Sequence, residues 1–199
     1  MTQASPAGAN ARGRARREAL LTAVTADLAA NGLVDFSMRR AARAAGTTHK
    51  VLIYHFQTSE LLLEEAMRRL RMRRIEGALT GAGAGGTLAE RVRALWPSLA
   101  ADDTGLRVID QAIGLAMYDP QRYVHLAADA SDLYVGPLVS LCPPDWRAER
   151  KRQVAEMVMA TMRGFLMEWR TTRDESRIEA GLAALTRALD SEEARADHE

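Results

Sequence analysis

Ser37-Met38-Arg39-Arg40-Ala41-Ala42-Arg43-Ala44-Ala45-Gly46-Thr47-Thr48-His49-Lys50-Val51-Leu52-Ile53-Tyr54-His55-Phe56 is the stretch that decides how this chain folds. Ser37 has the hydroxyl that caps a helix N-terminus, and the residues after it favour a short helix to about Ala45. Ala41, Ala42, Ala44 and Ala45 are small, so a second helix can pack closely against the first. Gly46 supplies a sharp turn because it accepts backbone angles that strain other residues. Thr47 or Thr48 then caps a helix from His49 to Phe56. Leu52 and Phe56 fall on one side of it, leaving His49, Lys50, Tyr54 and His55 as polar reach on the other.

Outward from this stretch the pattern stays helical. Leu20, Val24 and Leu28 recur every four residues in a helix from about Arg12 to Ala30, closed by Asn31-Gly32. Met1–Asn10 is small and polar and reads as disordered. Thr58 caps a longer helix, with Leu61, Leu63, Met67, Leu70 and Ile75 on its buried side and Arg68, Arg69, Arg71, Arg73 and Arg74 in solvent. Gly81–Gly86 is all Gly and Ala and reads as a flexible connection. Further helices follow at Thr87–Trp96 (limited by Pro97) and Gly105–Tyr118. Another starts at Asp119-Pro120, carries Tyr123, Leu126 and Leu133, and is disturbed near Gly136-Pro137. The strongest amphipathic segments are Asp145–Thr171 and Asp174–Leu189. No alternating β-branched runs occur, so the expected class is all-α with about nine helices: a three-helix head over residues 1–57 and a helical body over 58–199.

The chain has 199 residues and a net charge of +1, a balance that by itself argues against a nucleic-acid partner. The distribution argues the other way. Residues 1–75 carry 13 Lys and Arg against 6 Asp and Glu, and residues 76–199 carry 14 against 20. A basic head on an acidic body suits contact with an anionic polymer through the head alone. No apolar run reaches the roughly 20 residues of a membrane span, and the basic N-terminus lacks a following apolar stretch, so a cytoplasmic, membrane-free protein is expected. The single Cys142 excludes an internal disulfide and a cysteine metal site. No cofactor is expected, and an enzyme finds no support: there is no Gly-rich phosphate loop, no Gly-x-Ser-x-Gly, and the four histidines are scattered.

Two short helices joined at Gly46 are the pattern of a helix-turn-helix. The quoted stretch, with Leu52-Ile53-Tyr54-His55-Phe56, Glu60-Leu61-Leu62, and Arg17 through Gly32 before it, resembles the N-terminal domain of the tetracycline-repressor-like (TetR) family over about residues 12–63. The resemblance implies a regulator of transcription, expected to be a repressor. It would bind a palindromic operator in double-stranded DNA as a homodimer and be released by a small-molecule effector. It implies that Arg39 reaches a guanine edge, that His49, Lys50 and Val51 read bases, and that Ser37, Thr48, Tyr54 and His55 meet sugar and phosphate. Arg12, Arg14, Arg16 and Arg17 would lie in a DNA-contacting arm. Each has a plainer alternative: a solvated charge run for the arginines, capping for Ser37, core or capping for His55, internal packing for Val51. Two positions depart from the family pattern. Ile53 replaces a Tyr and Ser59 a Lys, both phosphate contacts in that family, with Lys50 and Tyr54 placed to compensate.

By the same resemblance the last two long helices form the dimer interface, through Val154, Val158, Phe165, Trp169, Ile178, Leu182 and Leu185. The alternative is that these stripes face their own chain's core. Trp96, Ile113, Met117, Tyr118, Tyr123, His125, Met162 and Phe165 are candidates to line an effector pocket, where aromatics and flexible Met suit an apolar or mixed molecule. Ordinary core packing is the alternative for each. A different class of function, a helical protein-interaction module with a weakened DNA-binding head, is the rival to a regulator.

Overall fold

A computed structural model describes residues 6–83, 85–101, 103–127 and 130–195. Among these residues there is no strand. The elements are α1 (Pro6–Asn31), α2 (Met38–Ala44), α3 (His49–Phe56), α4 (Ser59–Ala82), α5 (Leu88–Ala101), α6 (Asp103–Tyr118), α7 (Pro120–Tyr123), a 3₁₀ turn (Val124–Leu126), α8 (Ala130–Leu141), α9 (Ala148–Thr172) and α10 (Glu175–Glu193). No helix among them is long and apolar enough to cross a membrane.

The chain forms two compact units. One comprises the described residues of Met1–Arg71 and Thr104–Ala128, the other those of Met72–Asp103 and Asp129–Glu199. In the first, Leu20, Val24 and Leu28 of α1 close over Ala41, Leu52 and Phe56, and the same core takes in Leu62, Met67, Val108 and Leu126. The three-helix head therefore shares its core with the first half of α4 and with α6. At the end of α1, Gly32 has φ of +72°, and a Cβ there would stand 2.7 Å from Gln111 Oε1. That oxygen accepts the Leu33 amide at 2.9 Å, so α6 is bonded to the loop that leads into α2.

Several elements differ from the sequence expectations. α1 begins at Pro6, because Pro suits a first helical turn and the Ala-rich residues after it sustain one; Met1–Ser5 lie outside the described residues. On α4 the buried apolar residues are Leu62, Ala66, Met67, Leu70, Ile75 and Ala78; Leu61 is exposed and Leu63 only half-buried. The same face buries Arg71 and Arg74, 2% and 6% exposed, which corrects their assignment to solvent. The Arg71 guanidinium donates to the Leu126 carbonyl, and Arg74 Nη2 donates to the Leu99 carbonyl at 2.8 Å. Helix-end carbonyls are strong acceptors, and guanidinium donors satisfy them inside the fold. α5 runs through Pro97 rather than ending there. The segment after Asp119 breaks at the 3₁₀ turn, ahead of Gly136-Pro137, so Tyr123 and Leu133 lie on separate helices.

In the second unit, a reciprocal capping box starts α5: the Thr87 amide donates to Glu90 Oε2 at 2.9 Å and the Glu90 amide to Thr87 Oγ1 at 3.2 Å. α5, α8, α9 and α10 pack together around Val92, Leu95, Leu141, Val154, Val158, Leu182 and Leu189. Arg150 lies over the Trp146 ring at 3.9 Å and bonds Glu192 Oε1 at 3.2 Å, tying α9 to the end of α10. α9 and α10 approach closely at Gly181, where a Cβ would stand 2.6 Å from Phe165 Cε1. Gly181→Ala is expected to cost about 1–3 kcal/mol, since overpacking forces a packed ring off its rotamer. Thermal denaturation checks it; an unchanged melting temperature would show that Phe165 moves aside freely.

Candidate nucleic-acid interface

The helix-turn-helix is built as its caps dictate. Ser37 Oγ accepts the Arg40 amide at 3.3 Å and starts α2. Gly46, φ +56°, turns the chain, while the Thr47 amide returns to the Ala42 carbonyl at 2.9 Å. Thr48 Oγ1 accepts the Val51 amide at 3.4 Å and starts α3. Leu52 and Phe56 are buried, so the opposite side of α3 faces solvent. That side carries His49, Lys50, Ile53 and Tyr54, all exposed, with Tyr54 at 83%. Arg39 and Arg43 of α2 are exposed as well. Cationic and hydrogen-bonding groups thus stand on the helix that a major groove admits, with its N-terminal end free of acidic residues.

Two arginines hold this surface in place instead of forming part of it. Arg40 Nε pairs with Asp27 Oδ2 at 2.7 Å, Nη1 donates to the Val34 carbonyl and Nη2 to that of Gly32, each at 2.8 Å. One side chain thereby fixes α2 against the end of α1. Arg17, placed by the sequence in a DNA-contacting arm, is folded back. Its Nε donates to the His55 carbonyl at 3.2 Å, its guanidinium pairs with Glu65, and it stacks 4.6 Å from the Phe56 ring centre. A cation at the carbonyl end of α3 is favoured by the helix dipole. The basic count of the head gave no hint of these roles.

The other assigned positions fall as follows. Arg12, Arg14 and Arg16 are exposed on α1, in a helix and not an extended arm. Ser37 and Thr48 are exposed and serve as caps. Val51 is half-buried and packs against the head's core. His55 is half-buried, its ring edge-on to Tyr54 at 5.0 Å.

Of the candidate pocket residues, Trp96, Met162 and Phe165 belong to the second unit, and Ile113, Met117, Tyr118, Tyr123 and His125 to the first. Trp96 and Phe165 form an edge-to-face pair at 6.4 Å, and Met162 is buried. Ile113 and Tyr123 pack against the head's core, and His125 is half-buried. Met117 and Tyr118 are 76% and 88% exposed, so they enclose nothing in the single chain. Of the candidate interface residues, Val154, Val158, Ile178, Leu182 and Leu185 are buried within their own chain, where α5 and α8 pack against α9 and α10. Phe165 and Trp169 are half-buried, and the Trp169 indole Nε1 is buried with no hydrogen-bond partner among the described residues.

Cys142 is buried, its Sγ against the Leu138 and Lys151 carbonyls at 3.7 and 3.8 Å, and burial raises the thiol above its ordinary pKa, the opposite of an activated nucleophile. Among the described residues no group of three or more His, Cys, Asp or Glu side chains could hold a metal ion.

No family model and no curated protein matches the chain. Solved structures do. A proposed transcriptional regulator from Streptomyces coelicolor A3(2) aligns at a TM-score of 0.70 and 25% identity, over 87% of this chain and 98% of that one. A TetR-family transcriptional regulator from Cytophaga hutchinsonii aligns at 0.66 and 16% identity, over 98% and 100%. The multidrug binding protein EbrR, complexed with imidazole, aligns at 0.65 and 20% identity, over 87% and 89%.

Proposed function

We propose that this chain, TetR-like in its fold and in the helix-turn-helix it carries, is a transcriptional regulator that binds a palindromic DNA operator as a homodimer and answers to a small molecule. The observation that carries the proposal is the solvent face of α3 and α2, where His49, Lys50, Tyr54, Arg39 and Arg43 stand together on a rigidly capped turn. In this assignment Arg39 and the N-terminal end of α3 read base edges. Ser37, Thr48, Tyr54, His55 and the arginines at 12, 14 and 16 position the head on phosphates. The effector is apolar or mixed in character, as the paired Trp96 and Phe165 rings would accept. Effector binding shifts the population of DNA-competent dimers, and repression with effector release is the expected sense of regulation.

The experiment is selection of fragments of the source genome bound by the purified chain, at low and moderate salt, followed by sequencing. A palindromic site beside a small number of genes supports the proposal, and those genes point to the effector class. No selected site, with or without candidate effectors, leaves a helical interaction module as the better account.

The dimer is assigned to residues the single chain leaves uncovered. α9 presents Met157, Ala160, Gly164 and Met167 at helical spacing, and α10 presents Ala180 and Ala184, all exposed. A Cβ at Gly164 meets nothing within 4 Å, so Gly164→Arg leaves the single chain intact. It is expected to convert dimers to monomers in sedimentation; dimers of unchanged affinity would place the interface elsewhere.

A further inference from the structure

The solvent face of α3 contains one residue that phosphate chemistry does not explain. On a helix wheel His49, Ile53, Lys50 and Tyr54 follow one another around the exposed side, and Ile53 falls between His49 and Lys50, near its centre. Its Cβ stands about 5–6 Å from that of His49, four positions back, and from that of Lys50, three back. Ile53 is 41% exposed, although Leu52 beside it is fully buried. Among the described residues it is not part of the head's core cluster. A branched aliphatic side chain has no donor or acceptor for a phosphate or a base edge. What it can recognise in a major groove is the C5-methyl group of thymine, the one apolar feature displayed there.

We infer that Ile53 is a specificity-determining residue that packs on a thymine methyl within each operator half-site. His49 and Lys50 engage polar base edges on either side of it. The inference rests on the proposed DNA-reading function and adds a base that none of the polar residues selects. At this position the departure from the family's tyrosine is a change of target: a sequence-blind phosphate contact is given up for an apolar one that only thymine offers. Cytosine, which lacks the methyl, is rejected there by the desolvated side chain without any clash.

The test uses full-length protein and the operator recovered by selection. Each thymine of one half-site is replaced singly by uracil, which removes the methyl and leaves every hydrogen-bonding group in place. Affinities are measured for the wild type and for Ile53→Ala, whose fold is checked by circular dichroism. One thymine-to-uracil change is expected to weaken wild-type binding about fourfold, the value of one buried methyl group. The same change in Ile53→Ala is expected to alter affinity less than about 1.5-fold, because the methyl has already lost its partner. Ile53→Tyr should likewise lose the thymine preference while gaining affinity for all sequences, with a steeper salt dependence. Equal uracil penalties in the wild type and Ile53→Ala overturn the inference and leave the DNA-reading function standing. Failure to recover any sequence-selective complex overturns both.

Discussion

Arg71→Ala is expected to destabilise the first compact unit by about 3 kcal/mol, of which roughly 2 comes from the void left by a buried side chain and roughly 1 from a carbonyl stripped of its donor. Arg71 is among the largest fully buried side chains, and its guanidinium closes the Leu126 carbonyl at the end of the 3₁₀ turn. Arg71→Met separates the two contributions, since it restores volume and no donor; about two thirds of the loss should return. Arg71→Lys should recover less than Arg71→Met, because it buries a compact ammonium that cannot reproduce the planar fork's pairing and so keeps a desolvation penalty. Denaturant unfolding followed by circular dichroism measures all three. A shift under about 0.5 kcal/mol for Arg71→Ala would mean that the side chain is in water, as surface substitutions behave.

Arg39→Ala is expected to cost about 1–3 kcal/mol of discrimination at a single base pair, with a preference for guanine relaxed there. Arg39 is exposed on α2, and among the described residues its side chain has no ion pair, in contrast to Arg40 next to it, which is held by Asp27. Competition binding against operators varied one pair at a time gives the answer. A uniform loss on every sequence, with a salt slope lower by about one, would make Arg39 a phosphate contact instead.

The sequence carried the recognition unit clearly, because its signals are local. Ser37 and Thr48 act as caps where their side chains are read, and Gly46 takes the positive φ that a turn needs. Three features were not legible, for physical reasons. Arg71 and Arg74 look like solvent residues by type, and only the meeting of distant carbonyls, at Leu126 and Leu99, makes their burial favourable. Arg17 belongs to a basic run by spacing, yet its partners His55 and Glu65 are 38 and 48 residues away. The apolar stripes of α9 and α10 are equally consistent with a partner chain and with α5 and α8 of their own, because periodicity reports that a face is buried and not by what. Ile53 was legible as a departure from a pattern; its position at the middle of an uncovered face is what gives the departure a meaning.

The bond from the Leu33 amide to Gln111 has a consequence for how this molecule can be watched. That amide sits at the mouth of the loop into α2, and its hydrogen-bond partner comes from α6, 78 residues later in the chain. Its proton is shielded from exchange with solvent only while α6 lies against the loop. A single backbone proton therefore clocks the separation of those two elements, and its lifetime in heavy water is a local stopwatch needing no label, no second ligand and no DNA.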